Sequence, residues 1–274
     1  MNCRYPVIAL LLPAILLAAC ASAPTGTAER IAQLPPADLM LLGEQHDAPE
    51  HQRIERDVIR SLAASGRLGA VAIEMAEQGA TTANVKRSAG EDEVRDALRW
   101  DDNAWPWLAY GPAVMAAVRA GVPVVGANLP RTGLRAAMGD ASLDGKLPGP
   151  ALKAQQQAIR LGHCGLLPES QIAPMTRMQI ARDMAMARTL TDMAVPGKTT
   201  VMLSGSAHAD RALGVPQHLP EKLTVHSVRL LPDGGPIGPA LEKFDTVWST
   251  SPAPERDYCA EMKRLRPGQP ATPQ

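Results

Sequence analysis

Two stretches of the chain place a histidine three residues after a glycine, each at the end of an apolar run. Leu39-Met40-Leu41-Leu42 leads into Gly43-Glu44-Gln45-His46, and Val201-Met202-Leu203 leads into Ser204-Gly205-Ser206-Ala207-His208. A third run, Ala70-Val71-Ala72-Ile73, continues into Glu74. A carboxylate inside an apolar segment is costly unless it is paired, protonated or bound to a cation. Two imidazoles with one or two carboxylates suit a divalent metal, and a metal with an open coordination position activates water for hydrolysis. His46, Glu74 and His208 are therefore the candidate metal ligands. Glu44 and Glu74 are the candidate catalytic carboxylates if the site hydrolyses, and an arginine partner for Glu74 is the purely structural alternative. Other chemistries lack their motifs: there is no Walker loop, no Gly-x-Gly-x-x-Gly and no Gly-x-Ser-x-Gly. Ser204 and Ser206 are accounted for by the backbone turn.

These groups meet only if strands carry them to one place. Leu39–Leu42 reads as a buried strand. A helix from Pro49 follows, with Ile54, Val58, Ile59 and Leu62 on one stripe, Arg53, Glu55, Arg56, Asp57 and Arg60 on its wet faces, and Gly66 at its end. Further short apolar runs stand at 70–75, 122–128, 199–203, 224–230 and 246–249. Strand, helix, strand order makes a right-handed parallel crossover the default. The expected fold is α/β, a mostly parallel sheet covered by helices on both faces, with a smaller helical subdomain built from about 77–118 and 133–195. Residues 133–150 read as a loop, 151–161 as a short helix, and Pro174 as the start of a longer, methionine-bearing one. Parallel strands put their carboxyl ends on one edge, where open α/β sheets bind ligands. His46, Glu74, Asn128 and His208 all belong to that edge. Arg131 and Arg135 follow it and could clamp a carboxylate such as a haem propionate. Gln179, Arg182 and Asp183 could face the cleft from the long helix. Trp100, Trp105 and Trp107 precede Tyr110 in a chain with 3% aromatic residues, a cluster that needs an apolar partner, either core or flat ligand.

The 274 residues carry 28 Lys plus Arg against 28 Asp plus Glu, so no global field favours nucleic acid. Residues 1–19, with Arg4 and the apolar run up to Leu17, read as a secretory signal. Leu17-Ala18-Ala19-Cys20 resembles a lipobox, which makes Cys20 the lipidated N-terminus, 20–28 a tether, 29–252 the folded domain and 253–274 a tail. Acylation at Cys20 would anchor an otherwise soluble chain. Ala21 in place of aspartate fits outer-membrane sorting, facing the periplasm or the surface. Cys164 and Cys259 then form an even pair, open to a disulfide or to separate thiols.

Leu41-Leu42-Gly43-Glu44-Gln45-His46-Asp47, Ala72-Ile73-Glu74-Met75, Trp105 to Pro112, Asn128-Leu129-Pro130, Gln179 with Arg182-Asp183, and Gly205-Ser206-Ala207-His208 together resemble the ChaN-like family of haem-binding lipoproteins, within the Tiki, TraB and erythromycin-esterase group. The resemblance implies haem or iron acquisition at the bacterial outer membrane, haem held at a protomer interface as in a homodimer, and a tyrosine on the iron. Tyr110, for its aromatic setting, is the expected ligand over Tyr258, with His46, His208 and Arg131 also toward the cofactor. The wider group implies instead a metal-dependent hydrolase on His46, Glu74 and His208. A non-catalytic envelope interaction module is the third reading.

Overall fold

The computed structural model describes residues 26–235 and 242–265. Cys20 and the signal lie outside the described residues. Among the described residues six strands form one sheet: β1 (Leu39–Glu44), β2 (Leu68–Glu77), β3 (Val124–Asn128), β4 (Thr199–Gly205), β5 (Val225–Pro232) and β6 (Thr246–Thr250). All pair in parallel, in the order β3-β2-β4-β1-β5-β6. The near-continuous apolar runs expected of strands covered on both faces are what β1 and β4 present, every residue of each being buried.

Each face has its own core. On one, α1 (Thr27–Ala32), α2 (Pro49–Ala64), α3 (Glu91–Leu98) and α4 (Trp107–Ala120) set Ile31, Val58, Ile59, Leu62, Val94 and Val114 against Leu42, Ile73 and Leu203. Fully burying each such side chain contributes about 1.5–3 kcal/mol. On the other face, α7 (Glu169–Asp192) and α8 (Ser206–Ala209) bring Met186, Leu190 and Ala209 onto Leu41, Ala72 and Met202. Successive strand residues point to opposite faces, so Glu44 follows Leu42 onto the first face and Glu74 follows Ala72 onto the second.

Several local expectations change. The expected loop over 133–150 is largely helical: α5 (Arg131–Gly139), a 3-10 turn (Ala141–Gly145) and the link beyond it pack Ala137, Leu143 and Leu147 respectively with Ile180 and Ala181 of α7. α6 (Gly149–Gly162) joins this helical layer. Pro174 lies inside α7, within its first two turns, because tertiary packing there outweighs the one backbone hydrogen bond it removes. α1 begins at Thr27, inside the expected tether, because Ile31 docks into the core. Glu55 is not on a wet face but fully buried. The tail holds a helix, α9 (Tyr258–Arg264).

Candidate functional site

The carboxyl edge of the sheet gathers the strand-end groups into two charged networks, one on each face. On the α2/α4 face the Glu44 carboxylate accepts hydrogen bonds from Tyr110 Oη at 2.8 Å and from Gln52 Nε2, and its Oε1 holds His46 Nδ1 at 2.8 Å. The α2 turn is pinned under the same loop by His51, whose Nδ1 accepts the Gln45 N–H at 2.9 Å. Burial lowers the His51 pKa to about 4, so the ring is neutral and free to accept. Trp105 closes the side, its ring 4.9 Å from His46 and 5.8 Å from Tyr110.

On the α7 face, Glu74 Oε1 meets Arg182 at 2.6 Å and His208 Nε2 at 3.3 Å, while Oε2 accepts the Gly205 N–H at 2.7 Å. Arg182 also donates to Asn128 Oδ1, and Asn128 returns a bond to the Glu74 carbonyl. Asp183 holds the other ring nitrogen of His208 at 2.5 Å, with Gln179 at 3.2 Å. Burial works against charge on His208, but Glu74 and Asp183 outweigh it and raise its pKa to about 9. Burial likewise works against Glu74, yet His208 and Arg182 hold it well below the usual carboxylate range. The pair is an ion pair: imidazolium against carboxylate.

His46 stands between the two networks. Its Nδ1 is fixed by Glu44 and its Nε2 points to Glu74 Oε2 at 4.0 Å, with 41% of the side chain exposed. Burial lowers its pKa, and Glu44 and Glu74 raise it by more. Gly205 makes the approach possible, since a Cβ there would lie 2.8 Å from His46 Nε2.

His46, Glu74 and His208 thus come together, as ion-paired and hydrogen-bonded groups. Both ring nitrogens of His208 face carboxylates as a charged ring, and Glu74 is occupied by Arg182, His208 and a backbone N–H. Among the described residues no group of three or more His, Cys, Asp or Glu is disposed to hold a metal ion. The arginine partner weighed as the plain alternative for Glu74 is present.

Tyr110 is 2% exposed and committed to Glu44; burial, then Glu44, raises its pKa far above the ordinary range, so a tyrosinate there is strongly opposed. Arg131 lines a separate cavity of about 470 Å³, beyond Glu74 and Arg182, and pairs with Asp101 at 2.8 Å. Arg135 is exposed on α5. The open cleft is elsewhere: a cavity of about 610 Å³ lined by His46, Glu74, Arg182, His208, Arg229, Arg256 and Tyr258. Tyr258 is 46% exposed, donates to Asp47 Oδ2 at 2.6 Å and accepts from Gln45 at 3.2 Å. It is held there by a disulfide between Cys259 and Cys164, with Cα atoms 5.6 Å apart. Sequence reasoning missed Arg229 as a cleft residue, and the alternation of β5, with Val228 and Leu230 on the opposite face, was the signal that could have found it.

The family model described as haem-binding uptake, Tiki superfamily, ChaN matches residues 30–219. Among solved structures the chain is similar to that of ChaN of Campylobacter jejuni, described with cofacial haem binding, at 24% identity and a TM-score of 0.67, over 80% of this chain and 89% of that one. This likeness carries the fold. Looser resemblances are to the type III effector HopBA1, at 16% identity and TM-score 0.38 over 72% of this chain and 77% of that one. An erythromycin esterase mutant, EreC, in its open conformation follows at 15% and 0.44, over 72% and 70%. No curated protein matches the chain in sequence.

Proposed function

This chain belongs to the haem-binding uptake family of the Tiki superfamily, the ChaN family, and from that premise we propose that it binds haem in the 610 Å³ cleft as part of iron acquisition. The observation that carries the reading is the exposed Tyr258 hydroxyl on the wall of that cleft. The residues present fit the group. Pro232 and Ala207 offer apolar contact, Arg229 and Arg256 offer positive charge, and His46 Nε2 faces the same space. Haem, when bound, supplies an iron that takes a phenolate oxygen or an imidazole nitrogen as axial ligand. Tyr258 replaces Tyr110 as the tyrosine for that role because its hydroxyl is accessible from the cleft, whereas that of Tyr110 is buried against Glu44. The bond to Asp47 positions the Tyr258 hydroxyl, and burial, then that bond, raises its pKa, so the phenolate would form on binding the iron.

Titration of the purified protein with haem tests this. Wild type is expected to shift the Soret band and Tyr110→Phe to keep that shift, whereas Tyr258→Phe changes the band and weakens binding by about tenfold or more. A shift that survives Tyr258→Phe and disappears in Tyr110→Phe would reverse the assignment, and no shift in wild type would end the haem reading.

The proposal includes a lipid anchor on Cys20 and an outer-membrane location, facing the periplasm or the surface. Its support is the signal-like run followed by Leu17-Ala18-Ala19-Cys20. Mass spectrometry of the mature N-terminus, with Cys20→Ala as the unlipidated control, decides it. A haem-bound homodimer follows from the family premise, and sedimentation with and without haem measures it.

Hydrolysis is a second reading, favoured by one observation. A carboxylate fixes one nitrogen of His46 and leaves the other toward an open cleft, the arrangement of a general base. Ester and peptide panels with wild type and His46→Ala test it, and activity surviving His46→Ala would remove it.

A further inference from the structure

Among the described residues the cleft contains one cation without a hydrogen bond or ion pair. Arg229 lies in β5, flanked by Gly43 of β1 and Val247 of β6. Its guanidinium borders the 610 Å³ cavity and sits 5.7 Å over the ring of Phe244. It makes no hydrogen bond or ion pair among the described residues. The other arginines of the cleft are occupied: Arg182 by Glu74 and Asn128, Arg256 by Glu261 at 2.7 Å and by Asp47 at 3.6 Å. Asp210, the acid whose field reaches Arg229, is bound by Lys243 at 3.1 Å and caps the Ala212 N–H.

A half-buried guanidinium stays charged at any physiological pH, and its unanswered donors carry a desolvation cost. An entering carboxylate removes that cost. The planar fork of arginine matches two carboxylate oxygens, and such charge-assisted pairs are the stronger hydrogen bonds. An uncharged ligand would leave the cation as it is. The cleft therefore selects for an acid.

We propose that Arg229 is the anchoring residue for a carboxylate of the ligand, a subsite for one haem propionate at the β5 wall of the cleft. This rests on the reading of the cleft as a haem site. It assigns to β5 the part that Arg131 plays in the sequence reading, and it makes the carboxylate, rather than the porphyrin plane alone, the feature recognised.

The test pairs the protein residue with the ligand group. Haem and its dimethyl ester, whose carboxylates are masked, are titrated into wild type, Arg229→Gln and Arg229→Lys. Haem is expected to bind Arg229→Gln about ten- to hundredfold more weakly than wild type, with Arg229→Lys in between. The dimethyl ester is expected to bind wild type and Arg229→Gln alike, with an unchanged Soret position because Arg229 does not touch the iron. Equal losses for haem and ester in Arg229→Gln, or no loss for either, would overturn the subsite. If Arg229→Gln does not fold, Arg229→Met, which keeps an aliphatic stem over Phe244, is compared with Arg229→Lys. If wild type binds no haem at all, the haem reading fails by itself. The subsite then stands or falls on phthalate, an aromatic dicarboxylate: Arg229-dependent thermal stabilisation supports it, and none overturns it.

Discussion

His208 is buried between Glu74 and Asp183, and its charge ties folding to pH. Its folded pKa of about 9 lies above the ordinary 6.5, so the folded protein holds this proton more tightly than the unfolded chain does. The resulting stability is fully present below 6.5 and lost as pH rises through 9. Urea unfolding of wild type and His208→Gln should therefore show a gap of a few kcal/mol below pH 6.5 that narrows progressively toward pH 9. A gap independent of pH would mean that folding leaves the ring's pKa unshifted. Glu55 works in the opposite sense. It is fully buried with neither carboxylate oxygen partnered, and burial, then Glu44 and Glu74, raises its pKa well above 4.5. A folded state that holds the extra proton loses stability as pH rises above 4.5. Glu55→Leu should stabilise the protein by about 1–3 kcal/mol near pH 7, and by less near pH 4. His46, Glu74 and His208 were legible because polar groups at the ends of apolar strands stand out. Glu55 was not, since its helix position reads equally as a wet face, and neither was the burial of Tyr110 away from the cleft, since an aromatic setting marks packing as readily as a site.

At the scale of elements, the helix α9 buries none of its residues. Among the described residues its tertiary bonds are the disulfide to Cys164 and the polar contacts of Tyr258 with Asp47 and Gln45, supported by Arg256 on Asp47. A cross-link across about 100 residues stabilises by about 4.7 kcal/mol in the chain-entropy model when both ends belong to the cooperative fold. Here one end lies on a helix that buries none of its residues, so a smaller effect is expected. Cys164→Ser should leave far-UV circular dichroism unchanged and lower thermal stability by well under that figure. The same change should expose residues 251–258 to protease and weaken haem binding. Unchanged affinity would show that the polar contacts alone hold Tyr258. The strand positions were readable from apolar runs. The helical layer of α5, α6 and α7 was harder, because Gly133, Gly139, Gly145 and Gly149 disguise a segment whose order comes from tertiary packing of Ala137, Leu143 and Leu147.

For the molecule as a whole, the sheet separates the Glu44 network from the Glu74 network, and His46 touches both at the edge. The two carboxylates should therefore be coupled through one ring. Glu44→Gln and Glu74→Gln are expected to be non-additive in stability by about 0.5–3 kcal/mol, and additive once His46→Ala is present. Additivity in the wild-type background would show that the networks are independent. Parallel pairing and the shared carboxyl edge followed from the alternation of strands and helices in the sequence. The order β3-β2-β4-β1-β5-β6 did not, because β1 is flanked by strands far from it in the chain. That order places the two glycine–histidine stretches on adjacent strands, with Glu44 opposite Gly205. The wall bearing Tyr258 has a different standing in time. It is the last described part of the cleft to be synthesised, following all six strands, and it is joined to the rest by a bond that forms only after the thiols are oxidised. A chain trimmed after β6 would have its sheet and both networks yet lack the wall that presents Tyr258. Competence to bind would then be acquired as a final maturation step, distinct from folding.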